Sequence, residues 1–103
     1  MKTKLLRIFN HFGIETQKRK LNEECYEFLQ AVAEWQSNPS TVNAEHVTEE
    51  LADCLVVLKQ FQLSFEIADL VLEEIAILKT ERTLARIDTK TLTDNLREVE
   101  SNL

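Results

Sequence analysis

Four acidic residues have the types and the spacing to do chemistry together. Glu24 and Glu27 stand three apart in "EECYE", and Glu50 and Asp53 stand three apart in "ELAD". Residues three apart share one face of an α-helix, with Cβ atoms roughly 5–6 Å from each other, so each pair offers two carboxylates as a unit. Two such helices packed antiparallel would aim all four into one small volume. Like charges held that close raise one another's pKa, so the group must either take up protons or bind cations. All-oxygen donors suit the hard ions Mg²⁺ and Mn²⁺, which leave coordination positions for water and phosphate oxygens. Helical di-iron sites use Glu-x-x-His instead, and here Asp53 occupies the place of that histidine. The plain alternative is that Glu23, Glu24 and Glu27 are the solvated side of one helix.

Placement against the apolar residues bears on that choice. Projected at about 100° per residue, Glu50 falls within the apolar arc of its helix and Glu24 at the edge of another, with Glu27 and Asp53 one step further out. Glu23, Glu34 and Glu49 point further toward solvent. Carboxylates at a core margin lose hydration, so a metal or a partner is expected there. Asp53 is also a poor residue for a helix interior, because its short side chain competes for backbone hydrogen bonds. His46, one turn before Glu50, is either a partner for that carboxylate or a lone surface histidine.

The elements that must position these acids are helical. The 103 residues contain one glycine, Gly13, and one proline, Pro39, which leaves little for tight turns and points to a few long helices. A short first helix over Lys2 to His11 is expected to stop at Gly13 with a left-handed cap. A second is expected from Glu15 to Gln36, with Leu21, Cys25, Phe28, Leu29 and Val32 as its apolar stripe. "SNPSTVN" is the clearest loop. A third helix should start after Thr41 or Asn43 and bury Val47, Leu51, Cys54, Leu55, Leu58 and Phe61. Ser64 is the expected N-cap of a fourth, which buries Ile67, Leu70, Val71, Ile75 and Leu78 and is broken by "DTKT". Leu92 to Leu103 reads as a fifth helix or a frayed tail. The expectation is all-α: one domain over residues 1–103, an antiparallel four-helix-type bundle with a short extra terminal helix, oligomeric.

Charge and composition exclude some classes of function. Twelve basic against eighteen acidic residues give a net charge of −6, which provides no positive field to gather nucleic acid or an anionic membrane. No run of about eighteen apolar residues could span a bilayer, and "MKTKLLRIFNHFGIE" lacks the features of a signal peptide. Cys25 and Cys54 are expected to be two free buried thiols of a cytoplasmic protein.

Three segments in order, "KLNEECYEFLQAV", "HVTEELADCLVVLKQF" and "LKTERTLARI", resemble the MazG-like nucleotide pyrophosphohydrolases of the all-α NTP pyrophosphatase superfamily. The resemblance implies a Mg²⁺-dependent enzyme that splits a nucleoside triphosphate into its monophosphate and pyrophosphate. It makes Glu24, Glu27, Glu50 and Asp53 the metal ligands, with Glu23 as an accessory ligand or the group that orients the attacking water. Lys79, Arg82 and Arg86 would hold phosphate oxygens, although on their own they are also the ordinary basic end of a helix. A homodimer or homotetramer is implied as well. Readings from other classes are a non-catalytic helical interaction module and a phosphoribosyl-ATP pyrophosphohydrolase.

Overall fold

The structure, a computed structural model, describes residues 1–102. Among them are four helices and no strand: α1 Lys2–Phe12, α2 Ile14–Ser37, α3 Thr41–Ser64 and α4 Asp69–Ser101. The chain divides into two compact units, Met1–Ile67 and Ala68–Leu103.

In the first unit α1, α2 and α3 pack on one another, most extensively α2 on α3. Gly13 separates α1 from α2 with φ of +83°, as expected, but its ψ of 162° is extended rather than left-handed helical. The link between α2 and α3 is shorter than "SNPSTVN": only Asn38, Pro39 and Ser40 lie outside the helices. Ser40 caps α3 by accepting from the Asn43 N–H at 3.1 Å, and Asn43 Nδ2 donates to the Asn38 carbonyl at 2.8 Å. So short a link forces α2 and α3 antiparallel. Gln17 bonds to Gln60 and Glu27 meets Glu50, so contacts step up one helix as they step down the other.

The core of this unit is small and partly polar. Leu5, Phe9, Ala31, Cys54 and Val57 are its buried apolar residues, and Gln17, Glu24 and Gln60 are buried beside them. Phe9 meets Phe61 edge-on, with ring centroids 5.2 Å apart. On α2 the buried residues Gln17, Glu24 and Ala31 recur every seven positions, the spacing of a helix held along one partner. Several expected core residues lie elsewhere: Cys25 is exposed, as are Leu29, Leu51, Leu55 and Leu58. The cause is that α3 is apolar on more than one side. The side bearing Cys54 and Val57 is buried, while Leu51, Leu55 and Leu58 face another way.

The end of α3 departs from expectation. Ser64 is its last residue rather than a cap for the next helix. Ile67 N–H donates to the Gln62 carbonyl at 3.0 Å and Glu66 N–H to that of Leu63 at 3.1 Å. This is a Schellman closure, and Glu66, with φ of +55°, takes the left-handed position that glycine usually fills. The faltering period at Leu63 to Phe65 marks a real stop without a glycine.

In the second unit α4 starts at Asp69 and runs through "DTKT" unbroken, so there is no separate fifth helix among the described residues; Leu103 lies outside them. No glycine or proline interrupts it, and its threonines bond back along the helix. Thr80, Thr83, Thr89 and Thr93 each donate to the carbonyl four residues earlier, at 2.8–3.0 Å. Leu70, Val71, Ile75 and Leu78, expected to be buried, are exposed, as is Ile67 at the end of the first unit. Within its own unit α4 has no second helix to pack against. None of the described helices is long and apolar enough to cross a membrane.

Candidate metal centre

The antiparallel α2·α3 pair brings together three of the four paired acids. One oxygen from each of Glu24, Glu27 and Glu50 lies within 4.8 Å of the others. Two oxygens on opposite sides of one small divalent ion at about 2.1 Å are separated by roughly 4.2 Å, so small side-chain adjustments would let the three share an ion. The burial is graded: Glu24 is buried, Glu50 is half-buried and Glu27 is exposed.

What singles out this cluster is its unmet hydrogen-bonding capacity. Glu24 Oε1 accepts from Lys20 Nζ at 2.7 Å, and Glu50 Oε1 lies 3.3 Å from His46 Nε2. Their second oxygens, Glu24 Oε2 and Glu50 Oε2, are buried with no partner among the described residues. A buried carboxylate oxygen without a donor costs free energy that a fold does not ordinarily tolerate. Two of them in one cluster fit a site whose missing partner is a cation.

The electrostatics agree. Burial pushes the Glu50 carboxyl above its ordinary pKa, the charges of Glu27 and Asp53 push it further, and His46 pulls it back. Lys20 shifts upward from its ordinary value because it bonds to Glu24, with the charges of Glu23 and Glu27 adding to the effect. His46 is therefore a partner of Glu50 rather than a lone surface residue.

The other expected residues sit as follows. Asp53 is exposed and outside the converging trio, but close enough for its charge to act on Glu50. Glu23 is exposed too, and with Glu24 and Asp53 it lines a cavity of about 630 Å³ formed by α1, α2 and α3. Lys79, Arg82 and Arg86 are exposed along α4, in the second unit, where Arg82 and Arg86 line a shallow groove with Thr89 and Lys90. Cys54 is buried; burial raises its thiol pKa, and the neighbouring Cys25 thiol adds to that.

A family model of the MazG nucleotide pyrophosphohydrolase domain matches residues 12–76, more than half of the chain. The chain belongs to this family. The matched part of the MazG domain contains all four acids of the two pairs, together with Glu23, Lys20 and His46, whereas Lys79, Arg82 and Arg86 lie beyond it. No curated protein and no solved structure matches the chain.

Sequence reasoning missed Lys20, Gln17 and Gln60. Lys20 could have been found, since it stands four residues before Glu24, the spacing of a helical ion pair. The two glutamines carried no such signal, because they are 43 positions apart and of a type that is usually exposed.

Proposed function

We propose that this MazG domain is a Mg²⁺-dependent nucleoside triphosphate pyrophosphohydrolase, which converts an NTP or dNTP to its monophosphate and pyrophosphate. The observation that carries the reading is the pair of buried, partnerless oxygens on Glu24 and Glu50, within a carboxylate trio that suits a hard cation. Glu24, Glu27 and Glu50 would hold Mg²⁺ or Mn²⁺, with Asp53 completing the set. A bound ion supplies charge neutralisation for the phosphates and a bound water of lowered pKa.

The chain's own residues divide the remaining work. Lys20 holds Glu24 in place from the outer side, leaving its second oxygen for the ion. His46 does the same for Glu50 and lowers the cost of keeping that carboxylate ionised. Glu23, exposed on the wall of the adjoining cavity, would orient the attacking water or serve as an accessory ligand. Lys79, Arg82 and Arg86 are assigned to phosphate oxygens on the strength of their charge and spacing.

We assign residues 1–103 to one such domain, acting in the cytoplasm on the nucleotide pool as an antiparallel bundle that forms a homodimer or homotetramer. The large apolar side chains exposed on α3 and α4, among them Leu55, Leu58, Leu70 and Leu78, support the oligomer. Neither nucleic acid nor membrane is a partner at a net charge of −6. Incubating the protein with each common NTP and dNTP, with and without Mg²⁺, and assaying pyrophosphate tests the reading. Pyrophosphate from at least one nucleotide, only with the ion, is expected. Its absence from all of them, with no effect of Mg²⁺ on the melting temperature, would leave a non-catalytic helical module instead.

A further inference from the structure

A buried amide pair is part of the lining of the 630 Å³ cavity beside the acids. Gln17 Nε2 donates to Gln60 Oε1 at 2.8 Å across the α2·α3 interface, and the two residues are only 4 % and 2 % exposed. The remaining polar atom of each amide, Gln17 Oε1 and Gln60 Nε2, makes no hydrogen bond to any described residue. Neither atom is sealed in the core as the two carboxylate oxygens are, and both residues line the cavity. Turning both amides over exchanges their roles, yet one acceptor and one donor are still left over.

Such a pair does more than pack. Two methionines would fill the same volume, whereas the amides present one acceptor and one donor to the cavity. The cavity supplies the rest of a recognition site. Ile8, Phe12, Val56 and Val57 give it apolar walls, and Glu24 and Asp53 line it as well, so a ligand in the cavity would lie beside carboxylates of both acid pairs. A flat ring with apolar faces and an adjacent donor and acceptor on its edge matches these features, which is the chemistry of a nucleobase pairing edge.

We infer that Gln17 and Gln60 read the pairing edge of the substrate's base, and that this amide pair makes the site select nucleotides over triphosphates without such an edge. The inference rests on the proposed nucleotide hydrolysis but concerns only how the base is held. A site built to hydrogen-bond a ligand rejects analogues that cannot return those bonds, because its own polar groups are then left unpaired.

The test uses two pairs of shape-matched triphosphates in Mg²⁺: dTTP against its difluorotoluene isostere, and dATP against its 4-methylbenzimidazole isostere. All are prepared with a non-hydrolysable α,β-bridge, and binding is measured by calorimetry. In the pair whose natural member binds more tightly, the wild-type protein should prefer that member by about tenfold or more. The preference should fall to about one in the Q17M/Q60M double variant, a swap that conserves volume. A wild-type preference near one overturns the inference without needing any variant to fold, as does a preference that survives the double substitution in a folded protein. Binding of none of the four overturns it too. Pyrophosphate release from the hydrolysable forms separates the two readings. Equal turnover of natural base and isostere leaves the hydrolase standing and removes the amide reader, whereas preferential binding without turnover does the reverse.

Discussion

Replacing Glu24 by glutamine removes one charge from the carboxylate cluster and changes little else, so the balance of forces there can be worked through. The substitution weakens the contact with Lys20, whose ammonium lies 2.7 Å away but is half exposed. An ion pair that wet is worth only about 0.2–1 kcal/mol. The substitution also ends the repulsion of Glu24 with both Glu27 and Glu50, whose oxygens lie within 4.8 Å. At that distance two like charges cost about 0.9 kcal/mol in bulk water and about 3.5 kcal/mol at an effective dielectric of 20; exposed Glu27 places its pair near the lower figure and half-buried Glu50 places its pair above it. The gain at least offsets the loss, so in chelator the Glu24→Gln protein should be no less stable than wild type to within about 1 kcal/mol. With Mg²⁺ the two should separate. At ten times its dissociation constant the ion adds about 1.4 kcal/mol to the wild type. For a domain of this size that raises the melting temperature by roughly 6–11 °C. The variant should lose most of that rise. Circular-dichroism melts in EDTA and over a Mg²⁺ series measure both quantities. Destabilisation beyond about 2 kcal/mol in EDTA would make Glu24 a structural residue, and an undiminished Mg²⁺ shift would remove it from the metal site.

Three other outcomes follow from the same structure. Because the Glu50 pKa is raised on folding, the folded state binds the proton more readily than the unfolded chain, between the ordinary value of 4.5 and the raised one. Metal-free stability should therefore rise as pH falls through that window, relative to the Glu50→Gln protein, in urea titrations at a series of pH values; a difference independent of pH would refute the shift. Ser40→Ala removes the side-chain cap of α3 and should cost about 1 kcal/mol, seen as a lower urea midpoint with unchanged slope. Glu66→Gly relieves a left-handed backbone at φ +55° and should stabilise by about 1 kcal/mol in the same assay, whereas a loss of stability would mean that the glutamate side chain holds the turn.

The legibility of this chain in its sequence was uneven, for physical reasons. Helices α1, α2 and α3 follow from scarce glycine and proline and from a regular period; the ends of α1 and α2 fall within one residue of the expected ones, and α3 starts one to three residues early. The convergence of Glu24, Glu27 and Glu50 was also legible from the spacing of three on each of two antiparallel helices, but the same spacing put Asp53 with them, and Asp53 lies exposed outside the trio. What failed was the choice of face on α3. With apolar residues on several sides, periodicity alone could not say that Cys54 and Val57 would be buried while Leu51, Leu55 and Leu58 would not. "DTKT" misled because threonine is a weak helix former, yet each hydroxyl that bonds back four residues leaves the helix intact. The Schellman turn at Glu66 was invisible because its left-handed position is usually announced by glycine. The Gln17–Gln60 bond depends on the register between two helices, which no local pattern encodes.

On the proposed function, the carboxylate trio supports cleavage of a triphosphate between its α and β phosphates. Phosphorus NMR of a nucleoside triphosphate incubated with the protein and Mg²⁺ reads the products directly. Resonances of the monophosphate and pyrophosphate are expected, absent in EDTA and absent with the Glu24→Gln protein. Diphosphate with inorganic phosphate, or the same products from that variant, would contradict the proposed function.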